Sequence, residues 1–283
     1  MEKGTSISIV TAFFNIGRGE IGDNYPDYLK RTTETYFEYF FNLAKLDNEM
    51  IIFTSKEYKE KVLEIRKGKP TKVVVLDFYK KFRKQIKLVK SIQESQKFKS
   101  GINKDMIKNI EYWSPEYTVV TNLKIFFVNY AIRKNLVNSK IVSWIDFGYV
   151  RNEETLGNIK KWEYPFETDK VHFFTLRKKF SLEKIEDVYD VIFNNKVFII
   201  GGAAVSGKEN WKNFYKLLRK EQNELLKSDI IDDDQGIYMM CLFKYKKFIK
   251  LHYLGKDRWF FLFRKYDVTS KIGIIERLRD IIK

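Results

Sequence analysis

The 283-residue chain has one cysteine, two histidines and four prolines. A lone thiol, Cys241, excludes an internal disulfide and an all-thiolate metal site, and it is expected to pack in a helix as a small hydrophobe. No stretch reaches the ~20 consecutive apolar residues that a membrane-spanning helix needs. The opening residues, Met1-Glu2-Lys3, pass directly into Ile7-Ser8-Ile9-Val10 without the pattern of an export signal. The expected location is therefore the cytoplasm, either soluble or peripheral on the inner face of the cell membrane. Repeats, low-complexity tracts and persuasive linkers are absent too, and Gly17-Arg18-Gly19 is neither a P-loop nor a dinucleotide fingerprint.

Acidic residues are in the minority, 37 against 53 Lys and Arg, which leaves a formal charge of +16. Such a field attracts nucleic acid, anionic lipid or anionic substrates without choosing among them. A nucleic-acid-binding protein is one alternative, but the aromatics lie inside apolar runs and no recognition motif appears, so nucleic acid is not the expected partner. What the chain has in quantity is core: 44% apolar and 16% aromatic residues exclude global disorder.

Short β-branched runs at 6–14, 50–54 and 72–76 alternate with helical patterns at 28–46 and 58–67, the signature of an α/β sheet with parallel pairs. Strands are expected again at 140–146, 171–175, 197–200 and 248–252, and helices at 121–134, 182–187, 209–227 and 234–243. A single domain is expected over 1–268, with a charged helical excursion at 78–115 whose simplest reading is a solvated face. Residues 269–283 place Ile272, Ile275, Leu278 and Ile282 at helical spacing among basic residues, which suits either docking on the core or an anionic membrane surface.

Asp146 follows a hydrophobic strand and precedes Phe147-Gly148, so its carboxylate is expected at the carboxyl edge of the sheet, where open α/β sheets bind ligands. Metal ligation, a ribose hydrogen bond and stabilisation of its own turn are all open to it. Asp232-Asp233-Asp234 immediately precede a helix, and at least one is expected to cap it; Asp234 and Gln235 are suited to sugar hydroxyls. Gly201-Gly202-Ala203-Ala204 reads as a strand-to-loop turn against which a ligand ring could lie. Arg18 would bring a guanidinium near a phosphate, and Lys124 falls at the start of the helix preceding the Asp146 strand. His252 stands three residues before Gly255, with Lys256, Arg258 and Trp259 behind, a set suited to a metal-bound diphosphate; His172 lacks such company and is expected to pack in a strand.

Taken in order, Ile9 to Phe14 with Gly17-Arg18-Gly19, Ile52-Phe53-Thr54-Ser55, Trp144 to Tyr149 and Asp233-Asp234-Gln235 resemble the HtrL/YibB family over nearly the whole chain. That family looks related to glycosyltransferases of the GT-A fold, a nucleotide-sugar-binding α/β fold with a mixed, mostly parallel central sheet flanked by helices. The glycogenin-like branch of those enzymes ends its domain with His-x-x-Gly-x-x-Lys-Pro-Trp, whose histidine ligates manganese and whose lysine meets the diphosphate. His252, Gly255, Arg258 and Trp259 fall in a similar pattern, with arginine for lysine and no proline.

The resemblance implies a hexosyltransferase using a UDP-sugar and a divalent ion, Mn2+ or Mg2+, with a bacterial surface glycan or lipid-linked oligosaccharide as acceptor. A non-catalytic sugar-nucleotide-binding protein of the same fold is the alternative. By the same resemblance the donor would be held by Thr11, Ala12, Arg18, Lys124, Asp146, Gly148, Gly201, Gly202, Gly255, Lys256 and Arg258. Asp146 and His252 would hold the metal, and Asp234 with Gln235 would act in catalysis. One departure is visible: the common Asp-x-Asp of GT-A enzymes is replaced by Asp146-Phe147-Gly148, so the second carboxylate is missing.

Overall fold

The β-branched runs form strands β1 (Ile7–Phe13), β2 (Met50–Thr54), β3 (Thr71–Val75), β4 (Ile141–Ile145), β5 (Val171–Thr175), β6 (Ile199–Gly207) and β7 (Ile249–Tyr253). In the computed structural model, which describes residues 5–271 and 273–276, they make one sheet in the order β3-β2-β1-β4-β6-β5-β7. The β1–β2, β2–β3, β1–β4 and β5–β7 pairs are parallel, and β6 runs against both β4 and β5. The expected α/β class with a mixed, mostly parallel sheet is thus what forms.

The chain leaves β1 for β2 and β3 on one side and returns to β4 on the other. A crevice therefore opens beyond the carboxyl ends of β1 and β4, the general position for ligands in open α/β sheets. Because β6 is antiparallel, its amino end lies at that same edge, and Asp146 N–H bonds Gly202 O at 2.9 Å one step past β4.

Strand alternation divides the core into two layers. Val10, Trp144, Phe173 and Ala204 pack against the helices Lys124–Arg133, Lys208–Lys227 and Asp234–Tyr245, while Ile9, Ile145, Phe174 and Ala203 face the helix Thr33–Leu43 and the segment around Trp162 and Phe263. Cys241 is fully buried in the helix Asp234–Tyr245.

Three boundaries depart from the sequence pattern. The first long helix starts at Thr33 rather than Tyr28, because Thr32 Oγ1 accepts from Thr35 N–H at 3.2 Å and so caps it there. The helix expected at 182–187 occupies Ile185–Phe193. Gly201-Gly202 is not a turn: β6 continues through it to Gly207. The excursion expected at 78–115 is helical as far as Gly101 and runs on in turns with one 3-10 turn at Ile110–Tyr112; Phe78, Phe82, Val89, Ile92 and Phe98 bury one side of its helices in the main core while their lysines stay outside. Of the helix expected over 269–283, residues 271 and 273–276 are helical; Ile272, Leu278 and Ile282 lie outside the described residues. Among the described residues no helix is long and apolar enough to cross a membrane.

Candidate functional site

A cavity of about 590 Å³ occupies the crevice beyond β1 and β4, lined by Ala12, Arg18, Lys124, Asp146, Gly148, Gly201, Gly202, Asp234 and Gln235 among others. Its floor is a charge cluster assembled from three helix and strand ends. Lys124, at the first position of its helix, is 7% exposed in its side chain, and its Nζ lies 2.9 Å from Asp146 Oδ1 and 3.2 Å from Asp234 Oδ2. The same ammonium donates to Gly201 O at 2.9 Å. Asp146 Oδ1 also accepts from Trp144 Nε1–H at 2.6 Å. Asp234 opens the next helix, capped by Asp233, whose Oδ1 accepts from Gln235 N–H at 2.8 Å.

Burial alone would push Lys124 down, but Asp146 and Asp234 outweigh it and hold the ammonium above its ordinary value. Burial pushes the Asp234 carboxyl up to about 7, with Lys124 pulling it down and Asp233 and Asp146 raising it further. Asp232 is raised as well, by burial and then by Asp233. Gln235 faces the cavity with a buried Oε1 that has no hydrogen-bond partner, an acceptor awaiting a donor.

The glycines of β6 make this packing possible. A Cβ on Gly201 would stand 2.2 Å from Asp234 Oδ2, and one on Gly202 would stand 2.9 Å from the Tyr149 ring. The small residues therefore admit protein side chains as well as a ligand.

A second set of lining residues is basic. Arg18 is fixed by Leu29 O at 2.8 Å and Tyr36 Oη at 2.8 Å. Arg151 lies 4.3 Å from the Tyr39 ring centre, and burial, then the charge of Arg31 beside it, pull its guanidinium below the ordinary value. Arg31 and Arg151 both line the cavity, and neither forms an ion pair among the described residues. Trp259 and Phe260 close one wall, tied down by Tyr149 Oη–H donating to Trp259 O at 2.9 Å. The arginines at 31 and 151 were invisible as a pair in the sequence, since 120 positions separate two isolated loop residues.

Not every expected residue arrives at this site. Thr11 is fully buried in β1 and does not line the cavity. Gly255, Lys256 and Arg258 do not line it either: Arg258 folds back under Gly255 (φ 131°) and pairs with Glu276 at 3.2 Å. The expected Asp146 and His252 metal pair does not assemble. His252 pairs in register with Phe174, on the face of the sheet opposite Trp144 and Asp146, and β7 stands three strand spacings from β4, roughly 14 Å.

His252 also has its ring nitrogen engaged. His172 Nε2 lies 2.8 Å from Glu167 O and must be the donor there, so its Nδ1 accepts from His252 Nε2–H at 2.7 Å. Burial, followed for His252 by the neighbouring His172, lowers the proton affinity of both rings. Both are therefore neutral when folded, whereas the unfolded chain takes up protons near pH 6.5. Stability from this pair is intact above that pH and lost as pH falls below it, by up to about 1.4 kcal/mol per pH unit for each ring. Urea midpoints at pH 7.5 and 5.5 should show a smaller acid loss in His252→Leu than in the wild type; an equal loss would show that the pair does not titrate with unfolding.

The donor set does not fit a divalent ion. Lys124 Nζ already sits between the two floor carboxylates, and among the described residues no group of three His, Cys, Asp or Glu side chains converges as a metal site.

A family model described as "Bacterial protein of unknown function (HtrL_YibB)" matches residues 5–268. "Protein HtrL" of Escherichia coli (strain K12) is 45% identical over 277 residues, covering 97% of each chain. Among solved structures, that of mouse xyloside xylosyltransferase 1 in its apo form aligns over 87% of this chain and 84% of its own with 10% identity and a TM-score of 0.43. A likeness that distant carries no weight for activity. With the family match spanning nearly its whole length and the Escherichia coli relative matching end to end, the chain belongs to the HtrL_YibB family.

Proposed function

We propose that this protein is a glycosyltransferase of the GT-A type that moves a hexose from a nucleotide-sugar, UDP-linked, to a hydroxyl of a bacterial surface glycan or its lipid-linked precursor. The observation that carries the reading is that one cavity is lined both by the Asp146, Asp234 and Lys124 cluster with Gln235 and by three arginines, Arg18, Arg31 and Arg151. Hydroxyl-rich sugars need acceptors such as Asp234 and Gln235 Oε1, and a diphosphate needs guanidinium groups that have no carboxylate of their own. In the transfer, the bond from the sugar's anomeric carbon to the diphosphate breaks and the nucleotide leaves with the electron pair. The acceptor oxygen bonds to that carbon, and its proton passes to the departing diphosphate or to water. Arg31 and Arg151 would stabilise charge growing on the leaving diphosphate, and Asp234 with Gln235 would hold the transferred sugar.

Calorimetric titration with UDP, UMP, uridine and UDP-hexoses tests this. UDP is expected to bind, and Arg31→Glu or Arg151→Glu should each weaken UDP by about tenfold or more while leaving the weak binding of uridine unchanged. No detectable binding of any nucleoside diphosphate or nucleotide-sugar would remove the proposal. Equal losses for UDP and uridine would remove the role given to the arginines.

A further inference from the structure

We infer that the cation of this site is part of the chain: Lys124 Nζ takes the position between Asp146 and Asp234 that a divalent ion would require. Three observations converge on this. The ammonium is within 3.2 Å of both carboxylates and of Gly201 O, an oxygen donor set that would otherwise attract a hard cation. Lys124 is buried at the first turn of its helix, with its ammonium fixed by oxygens of all three groups. The histidine that the C-terminal motif would contribute is on the other face of the sheet with Nε2–H donated to His172.

The missing second carboxylate of Asp146-Phe147-Gly148 becomes intelligible on these terms. The loop then needs to supply only Asp146, because the second acid around the ammonium, Asp234, comes from the helix 88 residues later. Diphosphate binding would then draw on the arginines and proceed without metal. This step rests on the nucleotide-sugar reading only for its second arm.

In the first arm, MnCl2 is titrated into wild-type protein and followed by the electron paramagnetic resonance of free Mn2+. No uptake that depends on Asp146 is expected, whereas Lys124→Ala, which clears the position, should take up manganese and lose it again when Asp146→Asn is added. Wild-type uptake abolished by Asp146→Asn would overturn the inference, as would a folded Lys124→Ala protein that takes up none. In the second arm, UDP affinity is compared in EDTA and in Mn2+. Affinities equal within twofold are expected, and a tenfold dependence on Mn2+ would overturn the inference. Failure of UDP to bind in either condition would count against the proposed function, while the manganese titration would still decide the place of Lys124.

Discussion

Replacing Lys124 with methionine is expected to lower folding stability by about 3–5 kcal/mol at pH 8, because it leaves Asp146 and Asp234 facing each other at the cavity floor without a counter-charge. The loss should be smaller at pH 5, and the sign follows from Asp234. Its carboxyl is already raised to about 7 by burial, with Lys124 the group that pulls it down. Without the ammonium it rises further. A carboxyl raised in the folded state holds its proton more tightly than in the unfolded chain, so its contribution is retained at low pH and lost as pH climbs from its ordinary value near 4 through the folded one. Urea denaturation of wild type and Lys124→Met at both pH values measures the difference. A loss under about 1 kcal/mol at pH 8, the size of an exposed pair, would show that Lys124 does not hold the cluster together.

The same cluster shows what the letters of the chain could and could not convey. Strands β1 to β5 and β7 were legible because each is a short β-branched or aromatic run bounded by polar or glycine residues, and Asp146 at a strand end was legible for the same reason. Lys124 was visible as a cation at the head of an apolar helix, but its meeting with Asp234, 110 residues away, is a product of packing. His252 misled because spacing along a strand does not tell which side of the sheet faces the crevice. Its pairing with Phe174 places it on the far face, and one residue of register reverses such an assignment.

Gly201-Gly202 misled for a related reason. Paired glycines usually punctuate a strand, yet the apolar run Ala203-Ala204-Val205 beyond them continues β6, and the absent side chains serve Asp234 and Tyr149. Arg31 and Arg151 carried no local signal, since each is a single half-buried arginine outside any helix or strand. Only the fold shows that they face one cavity.

Gly201→Ala should therefore be far more harmful than its size suggests, and more harmful than Gly202→Ala. Its new methyl would lie 2.2 Å from Asp234 Oδ2 and 2.7 Å from Cγ, with Asp234 fixed at the head of its helix and its carboxylate held by Lys124. At Gly202 the atoms met belong to the edge of the Tyr149 ring at 2.9 Å, which can tilt by a few tenths of an ångström. Overpacking of this kind costs about 1–3 kcal/mol, and the upper end is expected at Gly201 because the carboxylate must leave Lys124 as it moves. UDP-hexose affinity should fall by more than tenfold in Gly201→Ala and by less than threefold in Gly202→Ala. Adding Asp234→Ala to Gly201→Ala removes the collision, so the double variant should recover at least 1 kcal/mol relative to the sum of the single losses, the mark of two groups in direct contact. Strict additivity in that cycle would mean that Gly201 is small for some reason other than the carboxylate packed against it.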